Sequence, residues 1–181
     1  MDAFDVLGLT PLFDLDTKVI EQRYRDLQRT LHPDKFMQAS ASERRASLSR
    51  AVSVNEAYRV LRDELKRAEA LFVRYGGQSG ESANKTADPE LLMEVMELRE
   101  ELASTKRGGE ASASARARLG EDVQRKNQTA TEQLRTAFAA LSSSGASALD
   151  DAARALSRMR YYRRFLDEMA SIEAESQDAL D

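Results

Sequence analysis

The sequence has no cysteine and one histidine, His32, among its 181 residues. A chain without thiols forms no disulfide, binds no metal through thiolate, holds no iron–sulfur cluster of its own and offers no thiol nucleophile. A single imidazole excludes a multi-histidine metal centre. Tryptophan is absent, proline occurs three times and glycine eight times, against many Ala, Leu, Glu and Arg, so helices are expected. Charged residues make up 32% of the chain and the mean hydropathy is -0.57, which argues against a membrane protein. Residues 1–20 have neither a basic start nor a long apolar run, so no secretory signal is expected and a cytoplasmic location follows by default. The net charge of -4 and pI near 5.3 give no basic lead toward nucleic acid.

The stretch 76–87, GGQSGESANKTA, has almost no large apolar side chain and reads as a linker. It divides the chain into residues 1–75, with a net charge of +1, and a second part, 88–181, that carries most of the acid. The expected fold is all-α, with a helical hairpin in the first part and an antiparallel three-helix bundle in the second. Asp16 is placed to cap a helix whose Ile20, Tyr24, Leu27 and Leu31 form one apolar stripe. Pro33 ends it, because the residue before proline disfavours helical geometry. Ser40 and Glu43 have capping-box spacing. The helix they open carries Leu48, Val52, Val54, Tyr58, Leu61, Leu65 and Phe72, and is expected to continue to Tyr75, where Gly76-Gly77 stops it. Asp88-Pro89-Glu90 reads as a helix start. Weaker loops are expected at 104–114 and 142–148, separating three helices.

Two features carry more than architecture. The first is Leu31-His32-Pro33-Asp34-Lys35-Phe36, where the only histidine sits at a forced helix end, after a helix whose polar side holds Lys18, Gln22, Arg25 and Arg29. Pro33 stiffens the turn, while His32 and Asp34 present donors and acceptors from a small area. No nucleophile or metal-ligand set accompanies the His–Asp pair, so an enzyme is not expected.

The second is Leu91 to Leu102, LLMEVMELREEL, which has too many apolar residues for one stripe. At about 100° per residue, Leu91, Val95, Leu98 and Leu102 form a core seam. Leu92, Met93 and Met96 lie off it, with Glu97 and Glu100 on the same side. These side chains either pack under the linker or against the first part, or form a docking face: adjacent exposed Leu and Met, the latter adaptable in shape, edged by carboxylates that favour a basic partner surface.

The order Phe4…Leu7-Gly8, Tyr24-Arg25…Leu27, His32-Pro33-Asp34, Asn55…Ala57-Tyr58…Leu61 resembles the J-domain. A J-domain followed by Arg67-Ala68-Glu69 and LLMEVMELREEL is similar, over nearly the whole chain, to the HscB-type J-domain co-chaperones of iron–sulfur cluster assembly. The resemblance implies a co-chaperone that stimulates the ATPase of a DnaK-class, HscA-like chaperone and delivers an IscU-like scaffold protein to it. It implies chaperone contacts for His32, Pro33, Asp34, Arg25, Arg29 and Lys35, and scaffold contacts for Leu92, Met93, Met96, Glu97 and Glu100. Tyr161 is the best match for an aromatic that the family places in the same site from the last helix. No cofactor and no metal are implied for this chain, since any cluster belongs to the client. An alternative stays open: a J-protein adaptor with a different client.

Overall fold

The structure, a computed structural model, describes residues 1–78, 88–105 and 110–178. The chain divides into two compact units, Met1–Ser79 and Gly80–Asp181. Among the described residues no helix is long and apolar enough to cross a membrane.

The first unit starts with a one-and-a-half-turn helix, α1 (Ala3–Leu7), opened by a reciprocal capping box between Asp2 and Asp5. Gly8 ends it in the left-handed region at φ 63°, a backbone that favours glycine, and a Cβ there would sit 2.9 Å from Arg23 Nη2, which would have to move aside. Helix α2 (Thr17–Thr30) begins at Asp16, whose carboxylate accepts the Lys18 N–H at 2.8 Å. A 3-10 turn, Pro33–Phe36, follows. Helix α3 (Ala41–Arg62) opens on the Ser40–Glu43 capping box. Helices α2 and α3 form an antiparallel pair: the Tyr24 hydroxyl and Gln28 Nε2 both donate to Asn55 Oδ1, at 3.0 and 2.6 Å, and the Tyr24 and Tyr58 rings stack with centroids 4.1 Å apart.

The expected single helix from Ser40 to Tyr75 is two helices. Asp63 leaves α3 in extended geometry (φ -83°, ψ 122°) and caps α4 (Glu64–Arg74) by accepting the Lys66 N–H at 3.0 Å. The break is sealed by Arg67, a buried cation whose Nε donates to Phe13 O at 2.8 Å and Nη1 to Leu61 O at 2.6 Å. It supplies a donor to one of the last carbonyls of α3, which have no intrahelical partner. Burial pushes the guanidinium pKa down, against the opposing pull of Glu64, Asp14 and Asp63. At the end of α4, Arg74 reaches back to Asp2 and Asp5 beside α1. Phe4, Leu7, Phe13, Ile20, Val54, Ala57, Leu61, Leu71 and Phe72 form the core. Leu48 and Val52, expected in the apolar stripe of α3, are instead exposed. The buried line is Ser47, Val54 and Leu61, at i, i+7 and i+14, and Leu48 sits about 100° around the helix from it.

The second unit holds α5 (Pro89–Ser104) and α6 (Glu110–Asp178). The 69 residues of α6 are helical throughout, yet they form two arms. A straight helix would hold Thr131 and Met159 about 42 Å apart, whereas the Thr131 hydroxyl donates to Met159 Sδ at 3.8 Å. The reversal lies between Ala140 and Asp151, which line the same groove. The residues 142–148 expected as a loop are in helical turns, and the chain reverses among them. Of the loop expected at 104–114, residues 106–109 lie outside the described residues, as do 79–87 of the expected linker, and helix resumes at Glu110. Ion pairs and hydrogen bonds set the directions. Asp88, Val95 and Arg99 of α5 meet Arg158, Tyr161 and Glu168 in rising order, so α5 runs parallel to the returning arm. Glu94 and Thr105 meet Lys126 and Arg116 in falling order, so it runs antiparallel to the outgoing arm. Leu98, Leu102, Leu119, Val123, Leu134, Leu156, Phe165 and Met169 fill the space between the three rods.

Candidate functional sites

In the first unit, α2 ends at Thr30 and the Leu31 N–H bonds back to Leu27 O, after which the chain turns out at His32. The Ser47 hydroxyl, buried on α3, donates to Leu31 O at 3.4 Å and ties the turn to the facing helix. His32, Pro33, Asp34 and Lys35 are all exposed. His32 Nδ1 accepts the Asp34 N–H at 3.3 Å and lies 3.3 Å from Asp34 Oδ2. Arg25 and Arg29 are exposed on the same hairpin; each is paired within its own helix, to Glu21 at 3.4 Å and to Asp26 at 3.6 Å. Those pairs are mobile and solvent-screened, so the guanidinium groups stay exchangeable toward another acidic surface. The unit thus presents a polar turn, tied to the facing helix, beside a cationic helix.

In the second unit the residues expected to form a docking face fall where the helical wheel puts them. Leu98 and Leu102 are buried and Leu91 and Val95 are half-buried, while Leu92 is 62% exposed and Met93 and Met96 are 65% exposed each. Glu97 and Glu100 are exposed on the same outward side. Tyr161 is half-buried on the returning arm; its hydroxyl donates to Val95 O at 3.4 Å and its ring packs edge-on to Tyr162 and tilted against Phe165. The ring therefore stands beside α5 one turn from Leu92.

The residues that aim this face were not singled out from the sequence. Glu94 receives Lys126 Nζ at 2.7 Å on one carboxylate oxygen and the Tyr162 hydroxyl at 2.9 Å on the other, so both arms of α6 grip it. Burial, and then the bond to Glu94, push the Tyr162 phenol well above its ordinary pKa, and the same carboxylate raises that of Lys126. Asp88 accepts Arg158 Nε at 3.2 Å and Nη2 at 3.1 Å while capping α5. Partial burial works against ionisation there, but the Leu91 N–H and Arg158 hold the carboxyl below its usual range. A signal for Glu94 existed: it is a carboxylate three residues after Leu91 and four before Leu98, on the edge of the core seam, where a charge needs a partner. Rotation of α5 about its axis would break both grips, so the outward direction of Leu92, Met93 and Met96 is set by the helix's inner contacts.

Two family descriptions match this chain in sequence. A DnaJ domain covers residues 2–70, and an HSCB C-terminal oligomerisation domain covers residues 87–170. Among curated relatives, the Co-chaperone protein HscB homolog of Vibrio atlanticus is 43% identical over 102 residues, which is 56% of this chain and 60% of that protein. The homolog of Bordetella pertussis is 40% identical over 131 residues, 72% of this chain and 77% of that protein. The alignments to the first relatives thus span about three fifths of their length. Among solved structures, the chaperone HscB from Vibrio cholerae superposes with a TM-score of 0.80 at 30% identity, covering 97% of this chain and 99% of that one. The human co-chaperone protein HscB gives a TM-score of 0.81 at 28% identity, covering 96% and 82%. With a J-domain in the first unit, the matching C-terminal domain in the second and relatives of this name over most of their length, the chain belongs to the HscB family of J-domain co-chaperones.

Proposed function

We propose that this protein couples two partners: through its first unit it stimulates the ATPase of a DnaK-class, HscA-like chaperone, and through its second it delivers an IscU-like iron–sulfur scaffold to that chaperone. The observation that carries the reading is the strip of Leu92, Met93 and Met96 facing water on α5, edged by Glu97 and Glu100. A helix of a folded bundle with three adjacent large apolar side chains turned outward is a surface made for a protein partner. The acidic edge suits a client surface rich in Lys or Arg. On the chaperone side, His32, Pro33 and Asp34 are the turn that engages the ATPase. Arg25, Arg29 and Lys35 draw in an acidic patch, so stimulation weakens with salt. Tyr161 closes the client site from the returning arm. The protein performs no chemistry itself: hydrolysis belongs to the chaperone and the cluster to the client, and all three act in the cytoplasm.

The test measures ATP turnover by the chaperone with and without the scaffold. His32→Gln is expected to reduce stimulation to the basal rate while scaffold binding is unchanged. Leu92→Ala with Met96→Ala is expected to keep stimulation by the protein alone and to lose the extra effect of the scaffold. Full stimulation by His32→Gln would end the chaperone half of the reading. Wild-type scaffold affinity in the double variant would end the client half and favour an adaptor for a different client.

A further inference from the structure

The chain's sulfur is all thioether: it has no cysteine and six methionines. In the second unit these fall into two classes. Met159 and Met169 are 3% and 4% exposed, and the Met159 sulfur already accepts the Thr131 hydroxyl. Met93 and Met96 are three residues apart on the outward side of α5 and open to solvent. We propose that Met93 and Met96 are oxidation sites for peroxide-class oxidants, and that their sulfoxides switch off client docking. The inference rests on the docking reading given above.

The chemistry is a two-electron oxygen transfer. The thioether sulfur attacks one oxygen of the peroxide, the O–O bond breaks and a sulfur–oxygen bond forms. Sulfur is oxidised by two electrons; the other peroxide oxygen takes up a proton and leaves, as water when the oxidant is hydrogen peroxide. Rate follows access to the sulfur, so the two exposed residues react ahead of the two in the core. The product turns a flexible apolar side chain into a polar one with a strong acceptor oxygen. Two of the three apolar side chains of the strip are changed in this way, and Leu92 alone remains. A partner that seats its own apolar surface here must then bury two sulfoxide oxygens, and the carboxylates of Glu97 and Glu100 on the same side offer them no donor. Methionine sulfoxide is reducible enzymatically, so the change is reversible.

The experiment treats the full chain with hydrogen peroxide, locates the added oxygens by peptide mass mapping and measures affinity for an iron–sulfur scaffold protein by calorimetry. Met93 and Met96 are expected to oxidise before Met159 and Met169, with affinity falling roughly ten-fold or more and returning after treatment with methionine sulfoxide reductases. The Met93→Leu, Met96→Leu double variant keeps an apolar strip without sulfur, and its affinity, whatever its untreated value, is expected to stay the same under peroxide. Unchanged affinity in chains oxidised at both positions would overturn the inference alone. So would an equal loss in the leucine variant, which retains Met1 and Met37. Failure of the untreated chain to bind the scaffold would overturn the docking reading and this inference with it.

Discussion

The two units use polar side chains for different ends. In the first, Arg67 and Arg23 donate to main-chain carbonyls where elements stop: Leu61 O and Phe13 O for one, Leu7 O for the other. These bonds finish turns, and the proposed chaperone site of that unit is itself a turn. In the second, Asp88 and Glu94 on α5 bind side chains of α6, namely Arg158, Lys126 and Tyr162. These bonds hold a helix at one rotation, and the proposed client site of that unit is a helix face. A loop has to be fixed by satisfying its backbone, a face by fixing the rod that carries it.

The comparison breaks first at Arg67. Arg67→Met removes the side-chain donor to the buried Leu61 carbonyl and one of two donors to Phe13 O, which keeps the Leu15 N–H, and should cost about 2–4 kcal/mol of stability in urea unfolding. A loss below about 1 kcal/mol would mean the guanidinium only fills space. Leu92→Ala with Met96→Ala tests the other side. Both side chains face water, so stability should change by less than about 0.5 kcal/mol, while scaffold affinity should fall by about 1.5–3 kcal/mol; a large loss of stability instead would make the strip structural. Gly8→Ala, with its left-handed backbone and the Arg23 contact, should cost about 1–2 kcal/mol by thermal unfolding. Asp63→Ala removes the cap of α4, about 1 kcal/mol, and equal stability would show that Arg67 alone maintains the break.

The smallest effect is a pH dependence in the second unit. The Asp88 carboxyl is held below its usual range in the folded chain. The stability it contributes is therefore complete above the unfolded aspartate value of about 3.9 and is lost as pH falls through the lower folded value. Asp88→Asn should flatten that part of the acid-unfolding curve. A curve of unchanged shape would show that Arg158 and the α5 cap exert no net pull.

Much of this molecule is readable one turn at a time. The caps at Asp16, Ser40 with Glu43, and Asp88 follow from hydrogen bonds that span two or three residues. The stop at Pro33 follows from the geometry of a single residue. The outward strip on α5 was legible because the helical period separates Leu98 and Leu102 from Leu92 and Met96 whatever the neighbours are. The same reasoning failed at Leu48 and Val52, where the apolar spacing was present and no facing element covers it. It also passed over Asp63, whose role as a cap competes with a helical pattern continuing on either side.

Composition, caps and periodicity determined by themselves that the chain is helical, that a stiff His32-Pro33-Asp34 turn interrupts it, and that one helix has an apolar side to spare, because those properties depend on interactions within a few residues. Only the tertiary structure decided that Arg67 seals the break after α3, that Tyr162 rather than its neighbour Tyr161 goes inside, and that Glu94 is gripped from two sides. Each of those pairs residues far apart in the chain, and burial is a property of what lies opposite, which no local pattern encodes.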